Sequence, residues 1–568
     1  MILGNIIYKQ TKFFIKEIAR GKIILQAVLV GLISGLFVVL FRLAIGFVGN
    51  FAYPEFVRTD FVLRLICFPL ICALGGLVSG IFVKAVPEIK GSGIPYVKMV
   101  LTRMGCFIRL RTIVAKFLGG AVAIGTGMSL GREGPSVQLG AGAGEFIGKL
   151  FRMKGTDKDK LIAAGAGSAI AATFNAPIAG TIFVLEELVN KFSSSLLFPV
   201  LIATVSADSL SRYMLGNKPC FLIPQNIGVM NSADIIPCVI LGAFAAVFGV
   251  LFAKTIFFNN KMFDKLKFNN AYKPVIAGFV VGIAGVFFPL VTGSGNLAVD
   301  FLLAHQLQIG IILSVFVLKF FITPFCFGSG AVGGIFLPTL MLGAFLGYIV
   351  AALLNLAGFQ VDVVMFSVLG MGAFLSAVAR TPITATVMVF EMTGSYHFIL
   401  PIMLCSALAD LIAEKMGHRP IYSMLIVNNA VKTGEAKLLA DIKVESVMTK
   451  EVDYINSSDR FLSVRAKIAE KTFSSYPVLD AKKKLCGYIT KSNIEDLILQ
   501  GADDSIEVSK IMNPNPVNVL YDENLYIAYF RLHSNNVHCL FVVDKFNTLK
   551  GVITREDIFR AVKNNQNC

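Results

Sequence analysis

The chain has 568 residues, 55% of them hydrophobic and only 15% charged, with a mean hydropathy of +0.72, which excludes an ordinary soluble domain and points to lipid. Residues 1–430 hold 33 Lys and Arg against 18 Asp and Glu, whereas residues 431–568 hold 19 against 18, so an apolar basic part precedes a charge-rich, nearly neutral one. The basic residues flank apolar runs, which excludes a nucleic-acid-binding surface as their explanation.

In chain order, residues 6–18 mix Lys9, Lys12 and Lys16 with apolar side chains and read as a helix on the membrane surface. The basic stretch is too long, and lacks the cleavage site, for a secretory signal. With the basic loop from Lys149 to Lys160 it follows the positive-inside pattern, which puts the N-terminus in the cytoplasm. Long apolar runs follow at Ile23–Ala52, Phe61–Val86, Thr112–Leu130, Leu196–Leu215, Ile235–Phe258, Val275–Val291, Ile309–Phe327, Phe336–Leu356 and Phe398–Ile412. Several reach the roughly 20 residues that span a bilayer. Between them, Gly and Pro interrupt the runs at 91–99, 131–151, 161–188, 328–338 and 363–393. Interrupted helices are tolerated at membrane depth only where they line a cavity. The ten cysteines form no CxxC pair, and Cys67, Cys72, Cys326 and Cys405 lie inside apolar runs, so neither a disulfide nor a metal site is expected.

The apolar part is duplicated at offsets of 202 to 205 residues. Lys116-Phe117 returns as Lys319-Phe320, GSG at 91–93 as GSG at 293–295, and AATFNAPIAGTIFVLEEL at 171–188 as SAVARTPITATVMVFEMT at 376–393. Duplicated halves with broken helices indicate a transporter or channel whose site lies between the halves. Residues 1–428 are therefore read as one membrane domain and 429–568 as a separate region. Within the latter, SYPVLDAKKKLCGYITKSNIEDLI at 475–498 parallels CLFVVDKFNTLKGVITREDIFRAV at 539–562. Each copy reads as strand, turn, strand and amphipathic helix, and each is preceded by a matching element, VMTKEVDYI at 447–455 and IMNPNPVNV at 511–519. Two small α/β modules at about 443–501 and 508–566 account for the pattern.

Three Gly-rich loops run into helix starts: GSGIP at 91–95, GREGP at 131–135 and GGIFLP at 333–338. Free N–H groups and the partial positive charge of a helix start suit an anion, and partial charges bind it reversibly. One such loop alone reads as close helix packing. Three in a duplicated broken-helix protein read as an anion path.

In these motifs the sequence resembles the CLC family of chloride channels and chloride/proton antiporters. Tyr422 in HRPIYSML matches that family's final helix-start tyrosine, and the C-terminal modules resemble the CBS pair many members carry, so the likeness covers essentially the whole chain. The resemblance implies an all-α polytopic domain of two inverted repeats with broken helices, a cytoplasmic α/β CBS pair, and a homodimer with an anion path in each subunit. It implies chloride and protons as the transported species and no required cofactor. It implies an anion site made by the hydroxyls of Ser92 and Tyr422 and the backbone N–H groups of Ile335 and Phe336. Ser92 favours chloride, since nitrate-preferring relatives carry Pro there. A helix cap is the plainer role for that serine.

Glu133 matches the gating glutamate, a carboxylate that competes with the anion and carries a proton; a structural ion pair with Arg132 is the alternative. Glu187 matches the internal proton-transfer glutamate, and Glu186 its structural neighbour, although two carboxylates at a solvated mouth would look the same. Tyr96 departs from the acidic residue or Gln that relatives often carry. Lys116 and Lys319 read as structural partners or snorkelling side chains. In the CBS pair, Thr554 with Asp557 has the ribose-contact pattern, while Thr490 is followed by Asn493 instead of Asp. Adenine-nucleotide binding and a purely structural pair are both open. Three functions stand: a chloride/proton antiporter, a passive chloride channel gated by Glu133, and a membrane hydrolase, for which no HExxH or GxSxG motif speaks.

Overall fold

The computed structural model describes residues 2–52, 60–102, 108–224, 234–305, 307–430, 439, 441–469, 475–499, 503–535 and 537–565. The chain divides into two units, Met1–Ser423 and Met424–Cys568. Among the described residues, the first unit is a run of eight helices followed by eight more in the same order. The first set is α1 (Ile2–Ala52), α2 (Phe61–Ala85), α3 (Ile94–Leu101), α4 (Leu110–Gly125), α5 (Glu133–Leu150), α6 (Gly155–Phe174), α7 (Pro177–Phe183) and α8 (Ser194–Leu215). The second is α9 (Ile235–Lys265), α10 (Lys273–Phe287), α11 (Asn296–Ala304), α12 (Ile309–Gly328), α13 (Phe336–Leu356), α14 (Val363–Ala379), α15 (Pro382–Thr393) and α16 (Ile399–Lys415). A further helix, α17 (Ile421–Ala430), carries Tyr422 at its start.

Seven of the described helices are long and apolar enough to cross a membrane. The segment expected as a separate surface helix is the continuous beginning of α1. Two runs give shorter helices than their apolarity suggests. The one at 112–130 ends as α4 at Gly125, before Thr126 and a left-handed Gly127 (φ +107°), and the one at 275–291 ends as α10 ahead of Pro289. The helix starts sit where the Gly-rich loops end. Gly93 takes φ +93° immediately before α3, a conformation that favours glycine.

Both halves bury their central helix pair in the same way. An added Cβ on Gly140 of α5 would lie 2.2 Å from the Gly165 carbonyl oxygen of α6, and one on Gly343 of α13 would lie 2.3 Å from the Gly370 oxygen of α14. Glycine lets these backbones touch, so packing without side chains replaces the hydrophobic driving force that lipid does not supply. Helices α5, α6, α13 and α14 are accordingly buried along most of their length.

The second unit contains two three-stranded sheets. In the first, β1 (Ile455–Asn456) runs parallel to β2 (Ser475–Leu479), which pairs antiparallel with β3 (Leu485–Thr490). In the second, β4 (Asn518–Leu520), β5 (Cys539–Val543) and β6 (Leu549–Thr554) repeat this order. The helices are α18 (Phe461–Ala469), α19 (Lys491–Leu499), α20 (Val508–Ile511), α21 (Leu525–Ser534) and α22 (Arg555–Asn565). The leading segments are exchanged between modules. Val444, Val447 and Met448 pack in the core of the second module, while Val508, Ile511 and Met512 pack in that of the first.

Candidate functional site

The three Gly-rich loops meet at one place. Gly131 and Gly334 exchange backbone hydrogen bonds at 2.7 and 2.6 Å, and the Gly333 amide donates to the Gly91 carbonyl at 3.2 Å. Lys116, fully buried on α4, donates to the carbonyls of Ile89 (2.8 Å) and Gly91 (2.7 Å), which fixes the loop that carries Ser92. Lys319 does the same in the second half, to Val291 (2.9 Å) and Gly293 (2.8 Å). Both lysines are structural partners rather than snorkelling side chains.

Ser92 does not cap α3, whose N-cap is Gly93. The Ser92 hydroxyl is buried and has no hydrogen-bond partner among the described residues. It lies against the first turn of α5, where a Cβ on Gly134 would stand 2.4 Å from its Oγ. A buried hydroxyl without a partner costs about 1–3 kcal/mol, so its retention calls for a ligand.

Glu133 is the first residue of α5 and is fully buried. Its Oε2 accepts from the Leu337 amide in the first turn of α13 at 3.4 Å, and its Oε1 has no partner among the described residues. The carboxylate thus sits at a helix start that attracts anions. The amide it meets is that of Leu337, one residue beyond the expected Ile335 and Phe336, which are buried beside it. Arg132 does not pair with Glu133. Its guanidinium donates to the Thr173 carbonyl at 3.5 Å. The Phe336 ring packs on Phe174 and Phe183 at centroid distances of 5.7 and 6.3 Å, tying α13 to the ends of α6 and α7. Tyr422 is buried within electrostatic reach of both Glu187 and Glu133.

Glu186 and Glu187 lie on a π-helical turn, Val184–Leu188, that continues α7. Such wide turns recur at functional sites. Neither carboxylate is simply solvated. Glu186 accepts from the amides of Ile383 (3.2 Å) and Thr384 (2.6 Å), and from the Thr384 hydroxyl, so it caps α15. Its counterpart in the repeat, Glu391, caps α7 through the amides of Ile178 (3.2 Å) and Ala179 (2.7 Å). Glu187, only 2% exposed, faces the other way and pairs with Lys98 of α3 at 2.8 Å. Lys98 also donates to the Ser423 hydroxyl at 2.9 Å. Lys98, Ser423, Leu337 and Glu391 were not singled out from the sequence. An ionisable residue inside the membrane is a signal that could have found Lys98, and the offset of 205 residues could have found Glu391.

Residues 75–414 match the voltage-gated chloride channel family, and residues 444–500 and 508–564 each match the CBS domain. The chain is a member of the voltage-gated chloride channel (CLC) family. It is 34% identical over 434 residues to the H(+)/Cl(-) exchange transporter ClcA of Vibrio cholerae serotype O1 (strain M66-2), covering 73% of this chain and 91% of that relative. The ClcA of Citrobacter koseri is 33% identical, covering 72% and 89%. Among solved structures, a slow cyanobacterial Cl-/H+ antiporter superposes with a TM-score of 0.67 at 28% identity, over 73% of this chain and 99% of that one. A eukaryotic CLC transporter shares the fold over 94% of this chain and 97% of its own, with a TM-score of 0.64 at 19% identity. This CLC protein is thus an integral membrane protein with a helical transport domain followed by a CBS pair.

In the CBS pair, the Thr554 hydroxyl donates to Asp557 Oδ2 at 2.7 Å, and the Thr554 amide reaches the same oxygen at 2.9 Å. Thr490 and Asn493 make the equivalent contact. Asn493 therefore replaces aspartate as a cap of its helix start, but with an amide instead of a charge. Both of these contacts fall on Oδ2 of the Asp557 carboxylate.

Proposed function

We propose that the chain is a secondary antiporter exchanging chloride for protons, with Glu133 as gate and proton carrier and Glu187 as the internal proton-transfer group. The observation that carries it is the Glu133 carboxylate at the start of α13, 3.4 Å from the Leu337 amide, beside the unpartnered Ser92 hydroxyl. A carboxylate in that position competes with chloride for the same helix start. Protonation removes its charge, frees that helix start and loads a proton, so anion and proton occupancy alternate. Ser92, Tyr422 and the N–H groups of Ile335 and Phe336 would hold the chloride, all of them neutral donors that allow release. The names of the ClcA relatives and of the cyanobacterial antiporter support exchange over passive conduction.

The working form is a homodimer in lipid, with the N-terminus and the CBS region in the cytoplasm and residues 1–428 and 429–568 as its functional domains. Thr554 and Asp557, with Thr490 in the first module, would hold the ribose of an adenine nucleotide that regulates transport.

Purified protein in liposomes under a chloride gradient, with a pH electrode outside and no ionophore, tests the exchange. Proton uptake driven by chloride, lost in Glu133→Gln and in Glu187→Ala, is expected. Chloride flux with no proton movement would make the protein a channel.

A further inference from the structure

The ion pair between Lys98 and Glu187 is almost wholly buried. Some buried charges obey the repeat, Lys116 returning as Lys319 and Glu186 as Glu391, while others, such as the pair of Glu145 with Lys158, do not. Glu187 returns as Met392, and Lys98, by the offset of 202 that relates the two GSG loops, as Asp300. Both members of the pair therefore break the duplication. Lys98 is 5% exposed and lies on α3, the short helix that Ser92 leads into, and its ammonium bridges two groups: Glu187 at 2.8 Å and Ser423 at 2.9 Å. Ser423 adjoins Tyr422 on α17. One cation thus links the π-helical turn that carries Glu187 to both chain segments that present hydroxyls to the anion site.

We propose that Lys98 is a positioning residue that controls when Glu187 takes up a proton. The ammonium at 2.8 Å favours the charged form of the Glu187 carboxylate. When water delivers a proton to Glu187, the pair loses its attraction and the ammonium, keeping its own three protons, is retained by the Ser423 hydroxyl. Loading of the internal proton is thereby transmitted to the segment that carries Tyr422. This role rests on Glu187 being the internal proton-transfer group.

The charged groups that act on Glu187 are Lys98 from α3 and Glu186 from its own turn, and Tyr422 of α17 lies within electrostatic reach of it. Between Leu161 and Phe183, the parts of α6 and α7 next to that turn, the sequence contains no ionisable side chain. An opposite charge at contact distance changes the proton affinity of a carboxylate by about 10- to 1,000-fold, and Lys98 is the only cation among these groups.

The experiment is the pH profile of chloride-driven proton transport in liposomes for the full chain, with Lys98→Met, Lys98→Arg and Lys98→Gln. Lys98→Met is expected to move the half-maximal pH upward by about one to three units, and Lys98→Arg to stay near the parent. Lys98→Gln keeps a hydrogen-bond donor without the charge, and is expected to shift with Met; it serves if Met proves unable to fold. Infrared titration of the carboxyl band removed by Glu187→Gln gives the same shift without relying on transport. An unchanged profile and band in Lys98→Gln, or an equal shift in Lys98→Arg, would overturn the role of Lys98. If Glu187→Ala keeps full proton coupling, it is the assignment of Glu187 that falls.

Discussion

The reciprocal caps make a quantitative prediction about which carboxylates are architecture. Glu391→Ala removes the acceptor for the amides of Ile178 and Ala179 at the start of α7, and Glu186→Ala does the same to Ile383 and Thr384 at the start of α15. A charge-assisted hydrogen bond contributes about 1.5–3 kcal/mol, and loss of an N-cap costs about 0.5–2 kcal/mol. Ile178 and Ile383 are exposed, so another acceptor can replace the longer contact of each pair. The shorter one, at 2.7 or 2.6 Å, carries most of the loss. Each substitution should therefore destabilise the protein by about 2 kcal/mol. Glutamine at either position, which keeps an acceptor oxygen, should recover about half of that. The chain has no Trp but ten Cys, and Cys72, Cys238, Cys326 and Cys405 are buried, so thermal unfolding in detergent is followed with a thiol-reactive dye. A drop in melting temperature is expected in each variant, the larger in Glu186→Ala, which also strands the Thr384 hydroxyl, with the chloride-to-proton ratio of the folded fraction unchanged. Loss of coupling in either variant, or an unchanged melting temperature in either, would refute the structural role.

Further outcomes follow from the same contacts. Lys116→Met and Lys319→Met each strand two buried carbonyls and should destabilise the fold to a similar degree, by about 3 kcal/mol. Only Lys116→Met should weaken chloride binding in calorimetry, because only its partner Gly91 adjoins Ser92. In the CBS pair, Met512→Ala should raise hydrogen exchange in β2 and β3, and Met448→Ala in β5 and β6, each at a cost of about 1–3 kcal/mol; the opposite assignment would sink the exchanged packing. Asp544 accepts from the amides of Thr548 and Phe546 at 2.9 Å each and pairs with Lys550. The Thr548 amide first, with Phe546 and Lys550, holds its carboxyl below the usual value near 3.9. The folded form is favoured above the unfolded carboxylate pKa, and that gain is lost as pH falls through the depressed one. Protection in the β5–β6 turn, taken relative to the intrinsic exchange rate at each pH, should fall on acidification, and Asp544→Asn should remove the dependence.

Much of this was legible in the sequence because it is written in local grammar. The Gly-rich loops announce helix starts, and the offsets of 202 to 205 announce two halves. The strand–turn–strand–helix pattern announces the CBS modules. What the sequence concealed depends on distance in the chain. The meeting of Gly91 with Gly333, and of Gly131 with Gly334, joins residues more than 200 apart. The exchange of Met448 and Met512 between modules leaves no mark on the local pattern, since each matching segment precedes its module as expected. The end of α4 is not marked by hydropathy, because the apolar run continues past Gly125 to the left-handed Gly127. Lys98 was overlooked because a lysine near a Gly-rich loop reads as one more basic flank until its burial is known.

Duplication itself separates architecture from chemistry in this protein. A pseudo-twofold scaffold needs each stabilising device twice, so Lys116 and Lys319 pin matching loops, Glu186 and Glu391 cap each other's helices, and glycines fuse α5 to α6 and α13 to α14. Transport in one direction through the scaffold has no such need, because the two faces of a membrane are not equivalent. The residues proposed to carry the chemistry are among those without a like partner. Glu133 falls opposite Phe336, Glu187 opposite Met392 and Lys98 opposite Asp300. Glu133 lies at the start of α5, Glu187 on the π-helical turn after α7, and Tyr422 on a helix outside both sets of eight. On the proposed mechanism, a carboxylate that contends with the anion, a second one held by a cation, and a phenol give the protons a set of stations that the second half does not duplicate. Symmetry would then build the anion path, and its local violations would supply the groups that couple protons to it.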